Sequence, residues 1–122
     1  MEHPTLSFPL LAHIRLLVAH EENYPYCINL NQGLLQTLGG LKEEQIAATK
    51  ADPDKAALEP KDKAMLLFVL KAVQDPATTE KEDVDALHDL GWTDRDIFDA
   101  VTHGMNMVSA GMMFKAFKMG ES

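Results

Sequence analysis

Apolar residues recur at spacings of three and four along most of the chain, the pattern of helices that bury one face. The first such segment runs from Leu10 to Glu22 and puts Leu10, Ile14, Leu17 and Val18 on one stripe. It fades into Asn23-Tyr24-Pro25-Tyr26, where Pro25 suits a turn or a first helical position. A second helix is predicted from about Cys27 to Leu38, with Leu30, Leu34, Leu35 and Leu38 as its apolar set and Gly39-Gly40 as its stop. Lys42 to Ala48 reads as a short amphipathic helix, and Asp52-Pro53-Asp54 as a loop. The fourth helix begins near Pro60, carries Met65, Leu66, Phe68, Val69, Leu70 and Val73, and ends before Pro76. It is apolar over much of its circumference, so it is expected at the centre of the fold. Thr79 with Glu82 predicts a capping box for a fifth helix bearing Val84, Leu87 and Leu90 and closing at Gly91. Thr93 with Asp96 opens the last helix, expected to run to about Met119, with Asp94 and Asp96 at its start and Lys115 and Lys118 at its end to suit the helix dipole. Nowhere do apolar and polar residues alternate long enough to predict a strand. The expectation is a single all-α domain of about six helices, without internal repeat or linker.

Composition narrows the function classes. The 122 residues carry a formal net charge of −8, which leaves little to neutralise phosphates, so neither nucleic acid nor a membrane surface is an expected partner. The longest apolar run, Ala64 to Leu70, is far short of the roughly 20 residues that span a bilayer. No basic region followed by an apolar stretch opens the chain, so a cytoplasmic location is expected. A single cysteine excludes an intrachain disulfide framework, a four-cysteine zinc site and an internal two-cysteine redox cycle. No phosphate-cradling or dinucleotide glycine pattern occurs, and no cofactor is expected.

The candidate chemistry centres on Cys27. At a helix start, partial positive charge on the backbone N–H groups stabilises a thiolate, the form that reacts with peroxides and disulfides. The bland alternative is a small buried apolar residue. His13 and His20 are two turns apart on the first helix, about 10 Å along its axis, too far to share a metal, and no denser ligand cluster exists, so no metal site is expected. His13 or His103 could act as a base for Cys27. His3, His20 and His88 suit a solvated surface. Met105, Met107, Met112, Met113 and Met119 gather near Phe114 and Phe117, which fits core plus a subunit interface, or else the wall of an adaptable pocket.

Three blocks of the chain resemble the carboxymuconolactone decarboxylase and alkylhydroperoxidase D (AhpD) superfamily, in its short peroxidase-related members. Leu16 to Asn31 resembles the helix-turn-helix that holds the family's active site. Leu58 to Lys71 is similar to the family's central helix. Gly91-Trp92-Thr93-Asp94-Arg95-Asp96-Ile97-Phe98-Asp99-Ala100-Val101, continuing to Phe117, resembles its closing helix. The likeness spans roughly residues 10–119 of one AhpD-like domain, 1–122. It implies an AhpD-like helical bundle and a homo-oligomer, a dimer, trimer or hexamer.

The family's peroxidases use a Cys-x-x-Cys pair, a histidine four residues on, and a glutamate in the preceding helix. By this resemblance Cys27 stands at the second, peroxide-reacting cysteine. Tyr24 stands at the first, Asn31 at the histidine, and about Ala12 at the glutamate. Two functions follow as expectations. One is a thiol peroxidase or antioxidant redox protein acting through Cys27 with an external thiol as reductant. The other is a catalytically degenerate scaffold for assembly or for a small ligand, bound in a pocket around Tyr24, Tyr26, Asn31 and His103. The decarboxylase chemistry would need His103 or His13 for proton transfer.

Overall fold

The Ser7 hydroxyl accepts the Leu10 amide at 3.3 Å and starts the first helix, and Pro9 follows in the first turn, where its missing N–H leaves no gap. In the computed structural model, which describes residues 3–118, six α-helices follow in order: α1 Phe8–Glu21, α2 Pro25–Thr37, α3 Glu43–Ala51, α4 Pro60–Gln74, α5 Lys81–Asp89 and α6 Asp94–Ala116. Single 3₁₀ turns occupy Pro53–Lys55 and Pro76–Thr78, the first where a plain loop is expected. There is no strand among the described residues, and no helix among them is long and apolar enough to cross a membrane.

The centre of the bundle is α1, not α4. Leu10 to Ala19 are buried with the single exception of Arg15, and α1 packs against α2, α4 and α6. Ala12 and Ala19 make this possible, because small side chains let neighbouring helices approach from several directions. On α4 only Met65, Leu66, Val69, Leu70 and Ala72 are buried, and Leu67 faces outward. Apolarity around the circumference of α4 therefore overstates its burial. Gly104 brings α6 onto α4 and α1: a Cβ there would come within 2.8 Å of a Val69 methyl and 3.1 Å of a Val73 methyl.

The expected Thr79–Glu82 box is displaced by one residue. Thr79 donates its hydroxyl to Pro76 O at 2.8 Å, closing the 3₁₀ turn. Glu80 becomes the N-cap of α5, and the Asp83 carboxylate accepts its amide at 2.9 Å. The Thr93–Asp96 box of α6 forms as expected, with reciprocal bonds of 3.0 and 3.1 Å. Trp92 locks the α5–α6 joint onto α4: its indole N–H donates to Lys61 O at 3.0 Å, and the Lys61 ammonium sits 4.5 Å above the ring. Gly91 makes the turn at φ 100°, a conformation that disfavours any side chain.

The segment before α1 is tied to α6. Thr5 donates its hydroxyl to the Asp96 carboxylate, and His3 pairs with Asp99 at 2.9 Å. The Thr5 bond, more than any other influence, holds the Asp96 carboxyl below its usual range. Along α6 the methionines split. Met107 packs on the core, whereas Met105, Met112 and Met113 are exposed together with Phe98 and Phe117. Met119 lies outside the described residues.

Candidate functional site

Pro25 occupies the first turn of α2, so Cys27 does lie at a helix start. The thiol is nevertheless closed off. Cys27 is 2% exposed and packs with Ala19 and Tyr24, under Ile28, Met107 and Phe114. Burial pushes its pKa up from the ordinary thiol value. The helix-start argument thus loses to desolvation, which disfavours a thiolate in apolar surroundings.

Tyr24 supplies much of the cover. It is the N-cap of α2, and its ring lies against the bare Cα of Gly111 in α6. Burial foremost, then the charges of Glu22 and Cys27, raise its phenol pKa. The Lys115 ammonium lies 5.5 Å from the ring centroid. Tyr26 points elsewhere: it is exposed and meets Phe114 edge-on at 5.3 Å.

Asn31 is the buried end of a partly buried polar chain. Its amide NH₂ donates to Cys27 O at 2.9 Å, and its Oδ1 accepts Arg15 Nε at 2.7 Å. Arg15 in turn donates from Nη1 to His103 Nε2 at 2.9 Å. A guanidinium has no acceptor, so His103 Nε2 must offer its lone pair and the ring proton sits on Nδ1. The neutral ring fits its lowered pKa, caused by burial first and then by the Arg15 and His3 charges. His13 donates Nδ1–H to Pro9 O at 2.7 Å, and its buried Nε2 has no partner among the described residues. Burial also lowers the His13 pKa. Neither imidazole is hydrogen-bonded to the Cys27 sulfur among the described residues, and the Ala12 side chain, at the resembling family's glutamate position, is a fully buried methyl. No group of three or more His, Cys, Asp and Glu residues could hold a metal ion among the described residues.

These two histidines make stability pH-dependent. Both folded-state pKa values lie below the unfolded value of about 6.5, so below that pH the unfolded chain binds protons that the native state refuses. Stability is expected to fall as pH drops from 7 to 5.5, with a slope of up to about 1.4 kcal/mol per pH unit for each histidine. Urea unfolding at the two pH values checks it, and an unchanged midpoint would contradict it.

A large open cavity of about 1030 Å³ lies between the segment before α1, α1 itself, the end of α2 and the start of α6. Its walls include Leu6, Phe8, Leu11, Leu34 and Leu38, with the polar groups of Arg15, His103, His3 and Asp99. Of the expected pocket residues only His103 lines it. Tyr24 and Tyr26 lie against the Phe114 end of α6, and Asn31 stands behind Arg15. A smaller cleft of about 240 Å³ between α4 and α5 holds Lys71 and Asp83, already paired at 3.0 Å. Sequence reasoning passed over Arg15. Its signal was there: Arg15 is the one Lys, Arg, Asp or Glu between Phe8 and Ala19, a stretch that is otherwise apolar but for His13.

No protein-family model and no curated protein matches the chain. Among solved structures, an uncharacterized peroxidase-related protein from Silicibacter sp. TM1040 superposes with a TM-score of 0.81, at 22% identity over 93% of this chain. An uncharacterized peroxidase-related protein from Ralstonia eutropha JMP134, described as an alkylhydroperoxidase AhpD core, superposes with the same TM-score of 0.81, at 21% identity over 94% of this chain. The chain covers 59% and 60% of the length of these two structures. The all-α AhpD core architecture expected from the three sequence blocks is therefore the fold of this chain.

Proposed function

We propose that this chain puts the AhpD core fold to use as a small-ligand-binding protein, with Cys27 a packing residue rather than a peroxide-reacting thiol. The observation that carries the reading is the separation of the two features. The thiol is sealed in an apolar cluster without a base, while the open cavity lies on the other side of Arg15, lined by apolar side chains and a few polar groups. Binding pockets have this composition: apolar walls for affinity and few polar groups for orientation. A peroxidatic role would require peroxide and then an external thiol to reach the sulfur of a residue that is 2% exposed.

A ligand that enters the native cavity stabilises the folded state by mass action. Among short apolar alcohols, carboxylates and amines, at least one class is expected to raise the melting temperature by several degrees. Leu34→Trp, which fills the cavity from its wall, is expected to abolish the rise. Melting temperatures unmoved by every class would contradict the reading.

The exposed Phe98, Met105, Met112 and Met113 on α6, with Phe117 just after it, support assembly as a homo-oligomer through that helix. Light scattering would then give a multiple of 13.5 kDa.

A further inference from the structure

We infer that the cavity takes a monoanionic amphipathic acid, its carboxylate held by the Arg15 guanidinium and its apolar body against Leu6, Phe8, Leu11 and Leu34. The inference rests on the ligand-binding reading above and names the ligand class. Arg15 is half-buried in the most buried helix of the molecule, and both of its hydrogen bonds go to neutral acceptors, Asn31 Oδ1 and His103 Nε2. Among the described residues it makes no ion pair within 4.0 Å. A guanidinium removed from water without a counter-ion is costly, and a partner that supplies one repays much of that cost. Burial already lowers the Arg15 pKa.

The guanidinium has five N–H donors and spends two on these bonds. The remaining donors suit a planar carboxylate, which an arginine can grip with paired hydrogen bonds. The carboxylate on the cavity wall does not fill this role. Asp99 is bound instead by His3 at 2.9 Å and by Arg95 at 3.5 Å. Arg95 thus offsets part of its charge, which would otherwise repel an incoming acid. One unpaired guanidinium calls for one negative charge, and walls of leucine and phenylalanine call for hydrocarbon rather than a sugar or nucleotide.

Calorimetric titration with decanoate, decanol and decyltrimethylammonium, each below its micelle concentration, tests the inference. Decanoate is expected to bind at least about tenfold tighter than decanol, the range of a charge-assisted hydrogen bond, and the cation weakest of the three. Arg15→Met is expected to erase the preference for the acid. Because Arg15 also holds Asn31, Leu38→Glu serves as a second variant. Leu38 is 71% exposed at the cavity rim, so the substitution leaves the fold alone and adds a repelling charge. It is expected to weaken decanoate several-fold and leave decanol unchanged. Equal affinities for decanoate and decanol, both lost in Leu34→Trp, would overturn the acid preference and leave the ligand-binding reading standing. A preference that survives in a folded Arg15→Met, or decanoate binding that Leu38→Glu leaves unchanged, would also overturn it. Failure of all three probes to bind would sink both.

Discussion

Tyr24→Ala is expected to cost about 3 kcal/mol or more of stability and to expose Cys27 to reagents, because it removes a buried aromatic ring and leaves a void beside the sulfur. The ring is 6% exposed and forms, with Ala19, the shell around Cys27. The family resemblance puts Tyr24 where the first cysteine of the pair would stand. Modification of Cys27 by a disulfide reagent such as dithionitrobenzoate is expected to be slow in the wild type and at least about tenfold faster in the variant. Global unfolding alone would also expose the thiol. Leu87→Ala, buried away from Cys27 between α4 and α5, supplies a comparably destabilised control whose Cys27 reacts no faster than its unfolded fraction allows. If Tyr24→Ala reacts no faster than this control at equal stability, the ring is not the seal.

The second large effect comes from the other side of the same contact. Gly111→Ala would place a methyl group onto the Tyr24 ring, overlapping its Cγ, Cδ2 and Cε2. Overpacking of this kind costs about 3 kcal/mol where the neighbour cannot move, and the Tyr24 backbone is fixed by its N–H to Ala19 O and by Ile28 N–H to its own carbonyl, both at 2.9 Å. The gain in helix propensity from glycine to alanine, roughly 1 kcal/mol, offsets only part of that. The net expectation is a loss of about 2 kcal/mol by urea unfolding. Gly33→Ala provides the sign contrast. A Cβ at Gly33 meets nothing within 4 Å, so the same substitution inside α2 is expected to gain roughly 1 kcal/mol. Equal shifts in the two variants would mean that propensity, not the Tyr24 contact, governs Gly111.

Much of the helical layout was legible in the sequence because its signals are local. The Thr93–Asp96 box, the proline at the start of α2 and the apolar spacing of α6 each act within a turn or two of chain. The errors have tertiary causes. Thr79 carries the right side chain for a cap, but Pro76 drew the backbone into a 3₁₀ turn that Thr79 closes, and Glu80 took the N-cap. α4 looks central by composition, yet α1 holds that place through small residues whose packing only the assembled bundle reveals. At the candidate site, Cys27 was found and correctly placed at a helix start. Its environment was not legible, because part of its seal, Met107 and Phe114, comes from α6, about 80 positions along the chain. Arg15 went unremarked for a related reason. Its value as an unpaired cation depends on which carboxylates reach it, and His3 and Arg95 draw Asp99 to themselves.

Hydroperoxide consumption with excess dithiothreitol, compared between wild type and Cys27→Ser, bears most directly on the proposal that Cys27 is not a peroxide-reacting thiol and the cavity is the working surface. The predicted result is the same rate for both proteins, at the level of the reductant alone. Turnover by the wild type that disappears in Cys27→Ser would contradict it.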